Sequence, residues 1–149
     1  MPDRAAIYTE AQRWAGTPYH HQGRRFGQSC DCIGLILGVG RALGLKVPSD
    51  GEMPKYSALP HDGMCEKMAD RYLVRQMQAI PFPGQVGLFF VTARGVGQHF
   101  CIFSWHEKTQ RNTMIHAFEG GRKVIETGIS DFWHKRLIRI YDYREVANA

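Results

Sequence analysis

The sequence has no long apolar run, no repeat and no low-complexity tract. No stretch reaches the roughly 18 continuous apolar residues that a membrane-spanning helix needs, so we expect no membrane span. The N-terminus also lacks a basic start followed by an apolar run, so we expect no signal peptide. We therefore predict one domain over residues 1–149 that is synthesised in the cytoplasm.

Cysteine is scarce, and the four cysteines do not follow the spacing of a disulfide scaffold or a zinc site. Cys30 and Cys32 have one residue between them, whereas zinc-binding pairs usually have about two to four. Cys65 and Cys101 stand alone, so no second close pair follows. A chain of this length builds a core without disulfides. We therefore expect neither a structural metal nor a disulfide.

Acidic residues are outnumbered, with 14 Asp and Glu against 19 Lys and Arg, which gives a net charge of +5. A basic chain suits an acidic partner such as nucleic acid, anionic lipid or an anionic wall polymer. The basic residues are scattered, however, and the densest pairs are only Arg24-Arg25 and Lys135-Arg136. Aromatic residues do not alternate with them as in single-strand binders. We interpret the excess as a solvated basic surface and predict no nucleic-acid partner.

Apolar spacing is helical up to about Ala79. We predict a first helix over residues 3–15 with Asp3 as its cap, a second that begins near Asp31, and a third over residues 62–79. The second helix contains costly glycines, for which close packing against a sheet would be a reason. These glycines are Gly34, Gly38 and Gly40.

A long loop over residues 45–61 precedes the third predicted helix. After Pro83 the apolar spacing becomes strand-like. The turn Glu119-Gly120-Gly121-Arg122 predicts a hairpin between the third and fourth strands. Helices followed by an antiparallel sheet indicate an α+β domain, with N-terminal helices packed on a C-terminal sheet. The five predicted strands cover residues 86–91, 100–105, 113–118, 123–126 and 136–143.

Cys32 stands at the predicted start of the second helix. Unpaired N–H groups and the helix dipole favour an anion at that position. A thiol there is expected to have a lowered pKa, and the same N–H groups can hold the oxyanion formed when a carbonyl is attacked. The position alone suits a small buried hydrophobe equally well, as most free cysteines are.

Two histidines on consecutive predicted strands favour the catalytic interpretation of that cysteine. His99 opens one strand and His116 lies in the next, so the two side chains can be in contact. A thiol nucleophile needs a base within hydrogen-bond reach and a third group that orients the base. His20 and His21, in the loop before the cysteine, fit a substrate cleft and a plain surface loop equally well.

Four short segments stand out in the sequence: WAGTPY at 14–19, DCIGLI at 31–36, QHF at 98–100 and MIHA at 114–117. Their order and rough spacing resemble the NlpC/P60 cysteine peptidases, and the resemblance extends from about residue 7 to residue 143. His-His-Gln-Gly at residues 20–23 and the cysteine at position 30 resemble, more loosely, the branch of that family found in phage tails and gene-transfer agents.

The resemblance implies a papain-like NlpC/P60 fold and a role for each matching residue. Cys32 would be the nucleophile, His99 the general base and His116 the third residue, while the Tyr19 hydroxyl would help to hold the oxyanion or substrate. The implied activity is cleavage of peptidoglycan stem peptides, often after D-glutamate, through an acyl-enzyme and without a metal or organic cofactor. A virion or tail assembly would carry the enzyme to the cell wall.

The sequence also departs from the family pattern. Ile33 replaces the usual serine, Gln85 replaces the usual aspartate before the first strand, and residues 45–80 and 104–113 are longer than a minimal family core. We expect the change at Gln85 to affect packing more than chemistry. Two other hypotheses stay open: a papain-like amidase or acyltransferase on another acyl substrate, and a non-catalytic structural subunit of a tail.

Overall fold

The computed structural model describes residues 1–146, in which helices pack on an antiparallel sheet. The predicted α+β class is confirmed. The helices are α1 (Arg4–Arg13), α2 (Cys32–Ala42), α3 (Met64–Tyr72) and the short α4 (Asp131–His134). The strands are β1 (Arg24–Arg25), β2 (Ser29–Cys30), β3 (Leu73–Gln76), β4 (Val86–Phe89), β5 (His99–His106), β6 (Arg111–Ala117), β7 (Val124–Gly128) and β8 (Leu137–Tyr143).

The main sheet has six strands in the order β3-β8-β4-β5-β6-β7, and every neighbouring pair is antiparallel. β8 is inserted between β3 and β4, while β1 and β2 form a separate two-stranded ribbon. The larger apolar core contains the buried side chains of α1 and α2. A smaller core is formed by Phe89, Cys101, Phe103 and Met114. No helix among residues 1–146 is long and apolar enough to cross a membrane.

The first two helices begin and end for local reasons that the sequence predicts. Asp3 caps α1 by accepting a hydrogen bond from the Ala6 N–H at 2.8 Å, and Gly16 follows the helix with a φ of +92°. Asp31 caps α2 by accepting from the Gly34 N–H at 2.7 Å. Acceptors at the N-cap satisfy helix N–H groups that would otherwise have no partner.

The predicted helix over residues 62–79 is wrong in its second half. α3 ends at Tyr72, and the chain continues as β3, where Leu73 pairs with Tyr143 and Gln76 with Ile140. Helical spacing depends only on neighbours in sequence, whereas this strand is fixed by backbone hydrogen bonds to β8. β1, β2 and α4 have no counterpart among the predicted elements.

The glycines of α2 make room mainly for a loop and a helix, which corrects the expectation of packing against a sheet. A Cβ at Gly34 would collide with the carbonyl oxygen of Gly23, and one at Gly38 would collide with the ring of Trp14, the C-cap of α1. Only Gly40 approaches the sheet: its Cβ would lie 2.5 Å from Val47 in the following loop and 3.1 Å from a ring carbon of Tyr143.

Gln85, just before β4, joins that strand to the preceding loop and to β8, which is a structural role of the kind expected for this position. Its side chain is fully buried, and its Oε1 accepts from the Phe82 N–H at 2.7 Å. Its Nε2 donates to Asp142 at 3.2 Å. The same carboxylate accepts two hydrogen bonds from Arg4, at 3.0 and 2.9 Å. The amide therefore links α1, the segment before β4 and β8.

We expect Gly34→Ala to destabilise the fold, because the new methyl group would collide with the backbone carbonyl of Gly23 rather than with the end of a flexible side chain. Overpacking of this kind costs about 1–3 kcal/mol, offset by about 1 kcal/mol of helix propensity. Urea unfolding measures the difference. Gly51→Ala is the control, since a Cβ there meets nothing within 4 Å. Equal stability of the two variants would contradict the close approach.

Candidate active site

Cys32 is the first residue of α2, and its side chain is buried beside the Asp31 cap. Burial and the neighbouring Asp31 carboxylate raise the pKa of the Cys32 thiol to about 12. Backbone N–H groups of Phe100, Ile33 and Cys32 act in the opposite direction. The lowered thiol pKa expected from the helix end is therefore wrong as a net result, because desolvation and a like charge outweigh the helix N–H groups.

His99 and His116 are in direct contact on the neighbouring strands β5 and β6, as the sequence predicts. His99 Nε2 lies 2.8 Å from His116 Nδ1, and both side chains are buried. Burial, together with the neighbouring His116, lowers the pKa of His99 well below 6.5. Burial lowers the pKa of His116 to about 4. Both imidazoles are therefore neutral at pH 7, and one donates a hydrogen bond to the other.

Tyr19 is fixed through its backbone between two segments. Its N–H donates to the Arg122 carbonyl at 2.8 Å, and it forms a parallel bridge with Cys30. Burial is the main cause that raises the pKa of Tyr19 to about 12, and the nearby Cys32, Asp31 and Glu119 side chains raise it further. The hydroxyl therefore keeps its proton at neutral pH and can act as a hydrogen-bond donor.

A cleft of about 190 Å³ brings the predicted residues together. Tyr19, Cys32 and His99 all line it, while His116 contacts His99. Among residues 1–146, no hydrogen bond joins the Cys32 thiol to His99, although both face the same space. The remaining walls come from residues 58–59, Val91, residues 117–120 and Trp133.

Trp133, which the sequence analysis missed, covers the histidine pair. Its indole ring stacks on His99 with a centroid distance of 4.9 Å and an interplanar angle of 25°. It meets His116 edge-on at 5.2 Å, and Phe118 stacks on the other imidazole at 4.9 Å and 14°. An adjacent aromatic pair at 132–133 in a polar segment was the available sequence signal. These rings limit the access of water to both imidazoles.

Asp31 ties together the loops that flank Cys32. Its Oδ2 accepts from the Gln22 N–H at 2.7 Å and from the Tyr56 hydroxyl at 2.8 Å. His21 packs edge-on against the Tyr56 ring at 5.4 Å. Within the described residues, His21 and its neighbour His20 do not line the cleft. They therefore belong to the surrounding loop rather than to the walls of the site.

The other cysteines are free buried thiols outside the cleft. Cys30 donates from its Sγ to the Asp31 carbonyl at 3.1 Å. Its pKa is raised by burial and by the neighbouring Asp31 carboxylate. In the part of the chain that the structure describes, no three His, Cys, Asp or Glu side chains converge as metal ligands.

No protein-family model and no curated protein matches the sequence. Solved structures do match. An NLP/P60-family protein similar to a lipoprotein, from Staphylococcus aureus, has a TM-score of 0.65 at 20% identity, over 97% of this chain and 42% of that one. An NlpC/P60 family protein from Bacillus cereus has a TM-score of 0.68 at 15% identity, over 95% of this chain and 40% of that one.

The chain thus spans less than half the length of these two proteins. It corresponds to nearly the whole of a third structure, the NlpC/p60 domain of the peptidoglycan hydrolase SagA. That match has a TM-score of 0.62 at 18% identity and covers 94% of this chain and 98% of the domain. The chain therefore has the fold of NlpC/P60 domains.

Proposed function

We propose that this protein is a cysteine endopeptidase that hydrolyses peptidoglycan stem peptides, with Cys32 as nucleophile and His99 as general base. The observation that carries the proposal is one cleft that contains a thiol at a helix N-terminus and an imidazole held by a second imidazole. This combination supplies the nucleophile, the base and the orienting group that acyl transfer by a thiol requires. The fold shared with the peptidoglycan hydrolase domain supports the same substrate class.

In the proposed reaction, Cys32 Sγ attacks the scissile carbonyl as its proton moves to His99. The receiving atom is Nδ1, because His99 Nε2 is engaged with His116. The tetrahedral intermediate collapses when the C–N bond breaks, and the leaving amine takes the proton from His99. Water then attacks the thioester and gives a proton to His99. The C–S bond breaks, the acid is released, and Cys32 Sγ takes that proton back from His99. The raised pKa of Cys32 means that the thiol stays protonated until attack begins.

His116 orients His99 in this scheme. For His99 Nδ1 to accept a proton, the ring proton of neutral His99 must be on Nε2, from which it is donated to His116 Nδ1. His116 Nδ1 can accept only while His116 is neutral. Its pKa of about 4 satisfies that condition at all pH values well above 4. A neutral His116 whose own ring proton is on Nε2 can thus accept from His99 and stabilise the tautomer that His99 needs as a base.

The backbone N–H groups at the start of α2 and the Tyr19 hydroxyl would stabilise the oxyanion. The N–H groups of Cys32 and Ile33 already interact favourably with a negative charge on the Cys32 sulfur. Tyr19 lines the same cleft and carries a hydroxyl that remains protonated. Donors fixed in a partly dry site stabilise a developing negative charge more than water does.

The finer specificity is also part of the proposal. Cleavage after D-glutamate, and delivery to the cell wall by a phage tail or gene-transfer agent, are supported by the sequence resemblance at residues 14–19, 20–23 and 31–36. Mass spectrometry of digested muropeptides identifies the bond that is cut. Mass spectrometry of purified particles tests the delivery.

Cys32→Ala and the nearly isosteric Cys32→Ser should abolish release of fragments from purified peptidoglycan, because neither side chain can form the thioester. Mass spectrometry of the digests measures the release, and circular dichroism checks the fold. Cys101→Ala is the control: it removes a fully buried thiol from the smaller core and should lower stability without abolishing cleavage. Full cleavage by Cys32→Ala would contradict the proposal.

Tyr19→Phe should lower kcat by about 10- to 100-fold, the value of one hydrogen bond to a charged group. The phenyl ring keeps the packing of the cleft, so KM should change much less. Steady-state kinetics on a defined stem peptide separates the two constants. Tyr8→Phe, a change on the surface of α1, serves as the control, and an unchanged kcat in Tyr19→Phe would remove the hydroxyl from the mechanism.

Stability should fall as pH decreases from 6.5 to 4 because of His116. Its pKa is near 6.5 in the unfolded chain and about 4 in the folded protein, so the unfolded chain binds more protons in this range. The loss amounts to about 3 kcal/mol at pH 4 and is absent above pH 7. Urea unfolding at several pH values measures it. His116→Asn keeps an acceptor for His99 but cannot titrate, so its free energy of unfolding should fall less between pH 6.5 and 4. An equal dependence of the unfolding free energy on pH in the native protein and in His116→Asn would refute this prediction.

A further inference from the structure

Gln98, the residue before His99, has a side chain that is 1% exposed. Its Oε1 accepts hydrogen bonds from the backbone N–H groups of Val91, Thr92 and Ala93, at 2.8, 2.9 and 2.9 Å. Three N–H donors directed at one atom identify that atom as the amide oxygen. Consecutive N–H groups that converge in this way usually bind an anion, and here the amide oxygen occupies their centre.

The amide nitrogen of Gln98 reaches a second loop. Nε2 lies 3.3 Å from His61 Nδ1 and 3.3 Å from Thr92 Oγ1. Because an amide nitrogen only donates, His61 Nδ1 must accept, which places the ring proton of His61 on Nε2. One buried amide therefore joins the loop before α3 to the loop between β4 and β5.

Both of these loops form walls of the cleft. Ala58 and Leu59 lie just before His61, and Val91 is the first of the three residues whose N–H groups Gln98 holds; all three line the cleft. His61 and Thr92 are themselves exposed, whereas Pro60, next to His61, is buried. Alongside that packing, the amide next to His99 holds both walls at His61 and at residues 91–93.

We propose that Gln98 is a positioning residue that orders both walls of the cleft before an extended peptide substrate binds. This inference rests on the proposed peptidase function. Without the amide, the substrate would have to order the two loops as it binds, and that entropic cost would weaken binding. The effect should appear in KM rather than in kcat, because Gln98 does not contact the Cys32 thiol or line the cleft.

The test compares Gln98→Leu with Gln85→Leu. Gln85 is the matched control because it is equally buried and also holds a loop through its amide, but that loop, which contains Phe82, does not line the cleft. Gln98→Leu should raise KM for a stem peptide about tenfold, equivalent to about 1.4 kcal/mol, with kcat nearly unchanged. Gln85→Leu should lower stability and leave KM unchanged. Equal KM values for the two variants would overturn the proposal.

Hydrogen exchange gives a readout that needs no substrate. Amides 91–93 should exchange at least about tenfold faster in Gln98→Leu, because their acceptor is gone and local opening becomes easier. They should be unaffected in Gln85→Leu. Native-like exchange at these amides in Gln98→Leu would overturn the proposal. If the native protein cleaves no stem peptide, the proposed function fails, and the exchange rates still decide whether Gln98 orders the loop.

Two further variants separate the two ends of the amide and remain informative if Gln98→Leu does not fold. Gln98→Glu keeps an acceptor for amides 91–93 but removes the donor to neutral His61, and His61→Ala removes only the partner. Both should show native exchange at 91–93 and a smaller increase in KM. Alkylation of Cys32 by iodoacetamide should be unchanged in all variants. Slower alkylation would mean that the substitution acts on the thiol itself, and would overturn the positioning role. A native KM in both Gln98→Glu and His61→Ala would overturn the role at the wall before α3.

Discussion

The position of Cys32 depends on one buried carboxylate, that of the preceding residue. Asp31 Oδ1 accepts from the Gly34 N–H at 2.7 Å and starts α2, while Oδ2 accepts from the Gln22 N–H and the Tyr56 hydroxyl. A buried carboxylate is tolerated only when its lone pairs are satisfied, so these contacts depend on one another. Together they fix the helix start and two flanking loops, and therefore the place at which the thiol enters the cleft.

The same carboxylate has an electrostatic consequence for the proposed chemistry. Burial and the charge of Asp31 raise the pKa of the Cys32 thiol, and burial lowers the pKa of His99 and His116. The thiol and both imidazoles are therefore neutral before substrate binds. In the proposed mechanism, proton transfer accompanies attack, so the negative charge that the helix N–H groups stabilise develops only during the reaction. Trp133 maintains the dry environment on which this depends, through its stacking on His99.

The sequence was sufficient wherever a structure follows from nearby residues. Capping by Asp3 and Asp31 gave the starts of α1 and α2, and strand alternation placed His99 and His116 on neighbouring strands where they do meet. The α+β class followed from the order of these elements. The direction of the thiol pKa could not be predicted in this way, because the effect of the helix end is local whereas burial depends on the whole fold.

The features that could not be predicted from the sequence all depend on contacts between residues that are distant in the chain. The segment of β3 continues a helical pattern and becomes a strand only because β8 lies beside it. Trp133 has no distinguishing pattern until the fold stacks it on His99, and Gln98 likewise acquires a role only where two loops meet. Structures only 15–20% identical share this fold. Most residues can therefore be exchanged without loss of the fold.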